Sequence, residues 1–255
     1  MTPLAFSIII MVKGRYAHMI LYYVRHGDPI YDPDSLTELG KKQAEALAPR
    51  FARLGLDEIY ASTSIRAQMT AEPTAKALGL KVTLLPWAHE NLAFEDFSVK
   101  EGNGRNWSFF NKEFKQKALS PAVRAMGENW HLHPHFQEEN FTRGIHRVNR
   151  EVDEFFLNQG YLHDRENANF RALKKNEKRV AFFAHEGFAK AFFSSLLDIP
   201  YPVVALKTDM GHSGVTVVYF DEREEEFFPR VMQWSDSSHL AKADLITPFQ
   251  NWLKI

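Results

Sequence analysis

The chain has 255 residues, of which 45% are hydrophobic and 25% are charged, and its formal net charge at pH 7 is -1. This composition is typical of a globular protein with one substantial core, and the balanced charge excludes the basic field with which proteins bind nucleic acids or anionic membranes. The sequence contains no cysteine, which excludes disulfides, thiolate metal ligands and a cysteine nucleophile.

The first 18 residues are predicted to be an N-terminal extension, followed by one domain over residues 19–255. The apolar run at 4–12 is too short to span a bilayer, which takes about 20 residues, and it lacks the basic segment and cleavage site of a signal peptide. We therefore expect a cytoplasmic protein with no membrane partner, and the charge balance predicts no nucleic-acid partner. The sequence leaves the oligomeric state open.

From residue 19 onwards, apolar runs typical of strands alternate with segments whose apolar residues recur at helical spacing. In chain order, the pattern predicts strands at 19–24, 58–61, 81–85, 179–184, 215–220 and 229–233, and helices at 37–54, 65–78, 141–157 and 188–197. Such alternation is typical of an α/β protein in which helices cover both faces of a mostly parallel central sheet, a three-layer α/β/α fold.

Residues 91–140 interrupt this alternation. They contain many aromatic side chains without clear periodicity, including Trp107 and Phe109. We predict that this segment is an insertion lying over the active end of the sheet. Most of its aromatic residues are expected to pack in a core, while Trp107 and Phe109 are candidates to line a pocket for an apolar part of a ligand.

Polar side chains follow four of the predicted strands directly. They are Arg25 and His26 after the first strand, Ser62, Ser64 and Arg66 after the second, His89 and Glu90 after the third, and His185 after the strand at 179–184. In open α/β sheets, ligands bind outside the carboxyl ends of the strands. We therefore expect two arginines, two histidines and a carboxylate to converge on one rim of the sheet.

This set of side chains suits phosphoryl transfer. Guanidinium groups bind phosphoryl oxygens through paired hydrogen bonds. A neutral imidazole has an unshared electron pair near pH 7 and can act as the nucleophile. A carboxyl group can protonate the departing alkoxide and then activate water. Since these groups supply every role, no metal and no other cofactor is expected.

Several segments together resemble the histidine phosphatase superfamily, the phosphoglycerate mutase-like proteins. They are VRHG at 24–27, SIRAQMTA at 64–71, Glu90 after the third strand, AHEG at 184–187, LTELGKKQA at 36–44 and GHSGVTVVYF at 211–220. The last segment implies, by resemblance, that Ser213 and His212 lie near the phosphate pocket.

The same resemblance implies roles for the five polar residues. It implies a phosphohistidine intermediate on His26, a phosphate pocket formed by Arg25, Arg66 and His185, and Glu90 as the general acid and base. The substrate would then be a small phosphomonoester.

Phosphatases and mutases of this family share one core, and the sequence favours the phosphatase. The family's mutases usually follow RHG with a polar residue and a Trp-Asn pair, whereas this chain continues with DPIYDPDS. The long stretch between Glu90 and His185 is mutase-like in length, so phosphoglycerate mutase-type transfer stays an alternative. Further alternatives are a non-catalytic module that binds phosphorylated ligands and a magnesium-dependent phosphatase that uses an aspartate of segment 32–37 as nucleophile.

Two other polar residues near the predicted rim, Asp28 and His89, are expected to have structural roles. Asp28 is predicted to be a turn residue before Pro29, and His89 is predicted to be a neighbour of the site rather than a catalyst. Glu95 or Asp96 stays open as the acid in place of Glu90, because the insertion begins there.

Two further polar segments are predicted to lie at the surface. His131, His133 and His135 alternate as metal ligands on an extended segment would, but no carboxylate motif accompanies them, and a surface loop is the favoured interpretation. The acidic segment 221–226 is predicted to be a solvated hairpin turn.

Overall fold

The structure is a computed structural model that describes residues 18–245 together with the backbone of residues 248–249 and 253–254. Apart from His18, the predicted N-terminal extension lies outside the described residues. Within the described part, no helix combines the length and the apolar character needed to cross a bilayer.

The described residues form fifteen strands. In chain order they are β1 (His18–Arg25), β2 (Pro29–Tyr31), β3 (Asp34–Leu36), β4 (Glu58–Ser62), β5 (Val82–Leu85), β6 (Ser98–Glu101), β7 (Gly104–Trp107), β8 (Tyr161–Asp164), β9 (Asn169–Ala172), β10 (Arg179–Ala184), β11 (Val215–Asp221), β12 (Glu226–Phe227), β13 (Arg230–Asp236), β14 (Pro248–Phe249) and β15 (Leu253–Lys254).

Nine α-helices accompany these strands in the described part of the chain. They are α1 (Glu38–Leu54), α2 (Ile65–Leu78), α3 (Glu90–Phe97), α4 (Lys112–Ala118), α5 (Pro121–Arg124), α6 (Phe141–Asn158), α7 (Glu186–Leu196), α8 (Tyr201–Lys207) and α9 (Ser238–Lys242). Short 3₁₀ helices lie at Pro86–Ala88, Gly127–Leu132 and Pro134–Phe136.

Six strands form the central sheet, in the order β13-β11-β1-β10-β4-β5. The four strands β1, β10, β4 and β5 are parallel to one another, whereas β11 runs antiparallel to both of its neighbours, β1 and β13. Because the parallel strands all end at the same edge, the segments that follow them meet there. The predicted mostly parallel sheet is confirmed.

Successive residues of β1 face opposite sides of the sheet, and each side has its own apolar core. Leu21 and Tyr23 pack in the core formed with α6 and α7, whereas Tyr22 and Val24 pack in the core formed with α1 and α2. Strand side chains alternate between faces, so an unbroken apolar run is buried on both. The predicted layer of helices on each face of the sheet is therefore confirmed.

Outside the segment 91–140, five pieces of secondary structure are absent from the predicted pattern. They are the β2–β3 hairpin, the small sheet β12-β9-β8, the β14–β15 hairpin and helices α8 and α9. Their strands are two to four residues long, which is too short for alternation of apolar and polar residues to identify them. Tertiary contacts rather than local sequence therefore define these elements.

The aromatic segment 91–140 is structured despite its lack of periodicity. It contains helices α3 to α5 and the β6–β7 hairpin. Trp130 lies at the centre of its apolar packing, with its ring centroid 5.0 Å from that of Phe141 and 6.0 Å from that of Tyr201. Aromatic packing against α6 and α8 holds the segment in place. Because these contacts are distant in sequence, the local pattern of apolar residues does not predict its helices and strands.

The acidic segment after β11 departs from the predicted solvated turn. Asp221 and Glu222 are buried, and the Tyr161 hydroxyl donates a hydrogen bond of 2.5 Å to the Glu222 carboxylate. The backbone N–H of Asn176 also donates to Glu222. The prediction is wrong for these two residues, because Asp221 pairs with Arg223 and Arg230 and Glu222 accepts hydrogen bonds from residues distant in sequence.

The histidine-rich segment splits between the interior and the surface. His131 is buried and its Nδ1 lies 2.9 Å from the Thr142 hydroxyl on α6, whereas His135 is exposed. The Nδ1 atom of His133 accepts a hydrogen bond from the backbone N–H of His135. The segment forms 3₁₀ turns, in which the ring centroids of His133 and His135 lie 4.4 Å apart, whereas the His131 ring is buried against α6.

A buried histidine outside the central sheet, His163 of β8, predicts that the stability of the protein depends on pH. His163 Nδ1 lies 2.9 Å from Asp153 and its Nε2 lies 2.8 Å from Asp198. Burial opposes the charged imidazolium, but the hydrogen bonds to the two carboxylates outweigh it and raise the pKa above its ordinary value of 6.5. The stabilisation that the charged His163 contributes is therefore complete below pH 6.5, and it is lost as the pH rises through the higher pKa of the folded state.

We expect His163→Gln to lower the free energy of unfolding by about 2 kcal/mol in mildly acidic buffer and by clearly less in alkaline buffer. Urea unfolding of both proteins at about pH 5.5 and about pH 9 measures the two differences. His135→Gln, on an exposed histidine, serves as the control and should show no such trend. An equal loss at both pH values would contradict the assignment of a charged His163.

Candidate active site

The loop after β1 is held at the carboxyl edge of the sheet by backbone hydrogen bonds. The N–H of His26 donates to the carbonyl of Ala184 at 2.9 Å, and the carbonyl of His26 accepts from the N–H of Ser213 at 3.1 Å. The N–H of Gly27 donates to the hydroxyl of Thr70 on α2. The position of His26 is thus fixed by β10, by α2 and by the segment before β11.

Two glycines allow helix α1 to approach this loop closely. A Cβ atom on Gly27 would lie 2.6 Å from the carbonyl oxygen of Gly40, and a Cβ atom on Gly40 would collide with the backbone of Asp28. Side chains at either position would push the loop and the helix apart. This contact explains the glycine in the LTELG segment.

His26 is arranged as a neutral imidazole with one free nitrogen. Its Nδ1 lies 2.7 Å from the carbonyl oxygen of Gly27, so Nδ1 carries the proton that is donated, and Nε2 keeps its electron pair. Burial lowers the pKa of His26 well below its ordinary value, and the neighbouring His185 and the guanidinium groups of Arg25 and Arg66 lower it further. The neutral, nucleophilic form is therefore the form present near pH 7.

Arg66 lies in the first turn of α2 and is held by two carboxylates. Its Nη1 lies 2.7 Å from Asp34 and its Nη2 lies 2.8 Å from Glu90. The ring of Tyr31, from the same hairpin as Asp34, lies 5.3 Å from the guanidinium carbon. The β2–β3 hairpin and the start of α3 therefore orient Arg66.

His185 follows β10 and is buried between two serines and Glu90. Its Nε2 lies 2.8 Å from the Ser62 hydroxyl and 3.3 Å from the Ser64 hydroxyl, while its Nδ1 lies 3.5 Å from Glu90. The ring centroids of His185 and His26 are 5.2 Å apart. Burial lowers the pKa of His185 well below its ordinary value, and Arg66 contributes in the same direction.

Arg25, the last residue of β1, is bound by three neighbours. Its Nη1 lies 2.6 Å from the Glu186 carboxylate and also donates to the Met210 carbonyl, and its Nη2 lies 2.9 Å from His212 Nε2. Since Nη2 is a donor, His212 Nε2 accepts, and its Nδ1–H faces Asp28 at 3.3 Å. Burial, assisted by Arg25, lowers the pKa of His212 to about 3, so this ring is neutral.

Four buried nitrogen atoms of this cluster make no hydrogen bond within the described part of the chain. They are Arg25 Nε, Arg66 Nε, His185 Nδ1 and His212 Nδ1, and the last of these faces the Asp28 carboxylate at 3.3 Å. A buried donor without a partner costs about 1–3 kcal/mol. An anion with several oxygens is the kind of ligand that guanidinium and imidazole donors bind.

A cavity of about 380 Å³ opens beside these groups. Its lining residues are Arg25, His26, Pro29, Tyr31, Glu90, Trp107, Phe109, Phe110, Glu186, Gly187 and His212. Trp107, Phe109 and Phe110 come from the segment 91–140, which therefore covers the carboxyl edge of the sheet. The side chains predicted for an apolar pocket, Trp107 and Phe109, do line the cavity.

Of the two residues predicted from the GHSG segment, the structure brings only His212 to the cavity. The Ser213 side chain is buried elsewhere, where its Oγ lies 3.0 Å from His239 Nε2 and donates to the carbonyl of Gln43. Its backbone has a positive φ of 61°, which turns the side chain away from the cavity. Ser213 thus contributes its backbone N–H to the His26 loop and no side chain to the cavity.

The alternative acids next to Glu90 have other positions. Glu95 is exposed, and Asp96 is buried against α6, where Arg143 and Arg147 each lie 2.7 Å from its carboxylate. Glu90, by contrast, lines the cavity, and it also accepts a hydrogen bond of 3.2 Å from the N–H of Gly187. The geometry therefore leaves Glu90 as the carboxylate of the predicted site.

Sequence reasoning missed two acidic residues that complete the cluster. Glu186 stands directly after His185, so its place at the end of a strand was a usable signal. Asp34 carried no such signal, because it reaches Arg66 only through the fold of the β2–β3 hairpin. Asp28 is more than a turn residue, since its carboxylate also accepts a hydrogen bond of 2.7 Å from Thr37.

His26, Glu90 and His185 are the one group of the described residues whose side-chain ligand atoms lie close enough to hold a metal ion, within 4.8 Å of one another. Arg66 lies against Glu90, and both imidazoles have positive guanidinium groups nearby. This positive surrounding favours an anion over a divalent cation.

Gly187 allows Trp107 and Glu90 to meet at the cavity wall. A Cβ atom there would lie 2.5 Å from the Trp107 ring and 3.0 Å from Glu90 Oε1. We expect Gly187→Ala to displace both side chains and to lower kcat/KM at this site about 100-fold with little loss of stability. Steady-state kinetics with thermal unfolding measures both quantities, and Ala189→Gly on the same helix is the control. Unchanged kcat/KM would show that neither side chain needs its present position.

Comparison with known proteins agrees with this geometry. The family model described as histidine phosphatase superfamily (branch 1) matches residues 21–133. Residues 21–133 are therefore similar to the histidine phosphatase superfamily. The matched residues include Arg25, His26, Arg66 and Glu90, while His185 lies beyond them. This match supports a phosphatase or another phosphoryl-transfer function.

Solved structures share the fold of this chain at low identity. A phosphoserine phosphatase from Entamoeba histolytica, in complex with phosphoserine, is 18% identical, with 87% of this chain and 99% of that chain covered and a TM-score of 0.57. A mycobacterial glucosyl-3-phosphoglycerate phosphatase, in complex with inorganic phosphate, is 22% identical, with 86% and 98% covered and a TM-score of 0.55.

A third similar structure is YhfR from Bacillus stearothermophilus, which is 19% identical, with 87% of this chain and 99% of that chain covered and a TM-score of 0.54. No curated protein matches the chain in sequence. These likenesses confirm the predicted fold.

Proposed function

We propose that the protein is a phosphatase that hydrolyses small phosphomonoesters through a phosphohistidine on His26, without a metal ion. The observation that carries this proposal is the free Nε2 of a neutral His26 beside three unpartnered donors of Arg25, Arg66 and His185. A nucleophile and a set of donors for a tetrahedral anion therefore share one buried place. Two of the similar structures are phosphatases, which supports the same reaction class for this chain.

In the first step, the electron pair of His26 Nε2 forms a bond to phosphorus and the bond to the ester oxygen breaks. The guanidinium groups of Arg25 and Arg66 stabilise the charge on the non-bridging oxygens. Glu90, in its protonated form, gives its proton to the departing oxygen, so the alcohol leaves neutral. His26 is then the phosphorylated residue, and Glu90 is a carboxylate.

In the second step, water attacks the phosphohistidine. The Glu90 carboxylate takes a proton from this water as the oxygen bonds to phosphorus, and the bond between phosphorus and Nε2 breaks. The electron pair returns to His26, inorganic phosphate leaves, and Glu90 is protonated again. One carboxyl group thus serves both steps.

The test is a phosphate-release screen across aryl phosphates, sugar phosphates, phosphoglycerates, nucleotides and phosphorylated peptides, with and without excess EDTA. We expect inorganic phosphate release that EDTA does not reduce. Loss of activity in EDTA would instead support a metal-dependent mechanism. Interconversion of phosphoglycerate isomers without phosphate release would identify a mutase, and binding of phosphorylated ligands without turnover would identify a binding module.

A further inference from the structure

The part of the cavity away from the phosphoryl site has an apolar wall. Trp107 and Phe109 are stacked with ring centroids 5.2 Å apart, and Phe110 lies 4.7 Å from Phe109. Tyr31 and Pro29 line the cavity as well. The alcohol part of a substrate would contact these side chains, so an apolar or aromatic alcohol fits this surface.

The charged side chains in the lining have an uneven distribution. Arg25 is the one lysine or arginine among the lining residues of this cavity, whereas two carboxylates, Glu90 and Glu186, line it. Arg66 is paired with Glu90 and Asp34 and is not among the lining residues of this cavity. A second negative group on the substrate would therefore lie near carboxylates, and no lysine or arginine of the lining would be left to pair with it.

Glu186 is held at this wall by two buried cations. Arg25 Nη1 lies 2.6 Å from one carboxylate oxygen, and Lys190 Nζ lies 3.3 Å from the other. Lys190 is only 2% exposed and also pairs with Asp209 at 2.9 Å. The positive charge of Lys190 is therefore shared between Glu186 and Asp209. When a phosphoryl group binds Arg25, Glu186 loses part of its compensation and its negative charge acts more strongly on the cavity.

We propose that Glu186 selects substrates by charge, so that the enzyme accepts phosphomonoesters of apolar alcohols that are neutral or carry an ammonium group and rejects those with a carboxylate or a second phosphate. This inference rests on the proposed phosphatase function and names the substrate class of the same site. Aromatic rings and a carboxylate attract a cation, and the same carboxylate repels an anion.

Three aryl phosphates of matched shape test this charge selection. They are para-methylphenyl phosphate, para-(aminomethyl)phenyl phosphate and para-(carboxymethyl)phenyl phosphate, in which a methylene group separates the charge from the ring and keeps the leaving groups similar. Burial raises the pKa of the Glu186 carboxyl, so the measurement is made at about pH 8, where this carboxyl is ionised. We expect kcat/KM to be at least about tenfold lower for the anionic ester than for the neutral one. The ammonium ester should be hydrolysed at least as well as the neutral ester.

The variant Glu186→Gln removes the charge and keeps the size of the side chain. We expect the ratio of kcat/KM between the neutral and the anionic ester to fall to within about threefold. The ratio is the readout because loss of the Arg25 partner also changes the absolute rates. Glu95→Gln, at an exposed position outside the cavity, is the matched control and should keep the ratio of the unmodified protein.

A second measurement keeps the test valid if Glu186→Gln fails to fold. In the unmodified protein, higher ionic strength should reduce the discrimination against the anionic ester, because salt screens charges in an open cavity. Equal kcat/KM for all three esters, or an unchanged ratio in Glu186→Gln, would overturn the charge selection while leaving the phosphatase intact. Absence of phosphate release from every ester would instead overturn the proposed function.

Discussion

Replacement of His26 by alanine is expected to abolish turnover and the phosphoenzyme together. Its Nε2 is the free nucleophilic nitrogen of the cluster, since Nδ1 is committed to the Gly27 carbonyl. We expect kcat to fall by about 10⁴-fold or more, because the remaining donors bind the phosphoryl group but cannot form the covalent intermediate. The measurements are steady-state phosphate release and labelling with a radioactive phosphomonoester, with recovery of the label under alkaline conditions, where phosphohistidine survives.

The control for this variant is His89→Ala, which removes an imidazole at the edge of the site. The Nδ1 atom of His89 accepts a hydrogen bond from the N–H of Asn91 and caps α3, so the variant should still form the phosphoenzyme. If His26→Ala retained the label, the nucleophile would lie elsewhere in the chain and the proposed mechanism would fail.

Replacement of Glu90 by glutamine is expected to slow the enzyme according to the leaving group. An amide cannot give a proton to the departing oxygen, and an alkoxide needs that proton far more than a nitrophenolate does. We expect kcat for alkyl phosphates to fall by about 10²- to 10⁴-fold. For para-nitrophenyl phosphate, formation of the phosphoenzyme should be much less affected, and its breakdown should become rate-limiting.

Rapid-quench kinetics separates the two steps, since the burst reports phosphorylation of His26 and the steady state reports hydrolysis. Glu95→Gln is the matched control, because Glu95 lies on the same helix but is exposed. Equal slowing of the burst for alkyl and aryl substrates would show that Glu90 does not act as the proton donor and that its pairing with Arg66 is its main role.

Much of the site could be predicted because it depends on the order of buried strands. The register of β1 and β10 pairs Arg25 with Ala184, so the residues that follow them, His26 and His185, must be neighbours at one edge. The approach of their rings to 5.2 Å is a consequence of this pairing. Apolar runs locate such strands in the sequence, and parallel alignment then brings the polar residues after them together.

Other features depend on contacts that no local pattern records. The direction of the Ser213 side chain follows from a positive φ and from a partner, His239, on a helix near the end of the described chain. Asp34 reaches Arg66 through a hairpin with three-residue strands. The sequence therefore indicates which residues end strands, whereas side-chain direction is set by neighbours distant along the chain.

The hairpin contact with Arg66 has a consequence for engineering. Asp34 and Tyr31 hold this guanidinium from outside the central sheet, in a two-stranded unit that shares no backbone ladder with it. Directed evolution confined to residues 29–36 would thus change how strongly the pocket binds an anion while the strands of the central sheet keep their sequence. A library over this short segment offers a route to retune substrate affinity without rebuilding the scaffold.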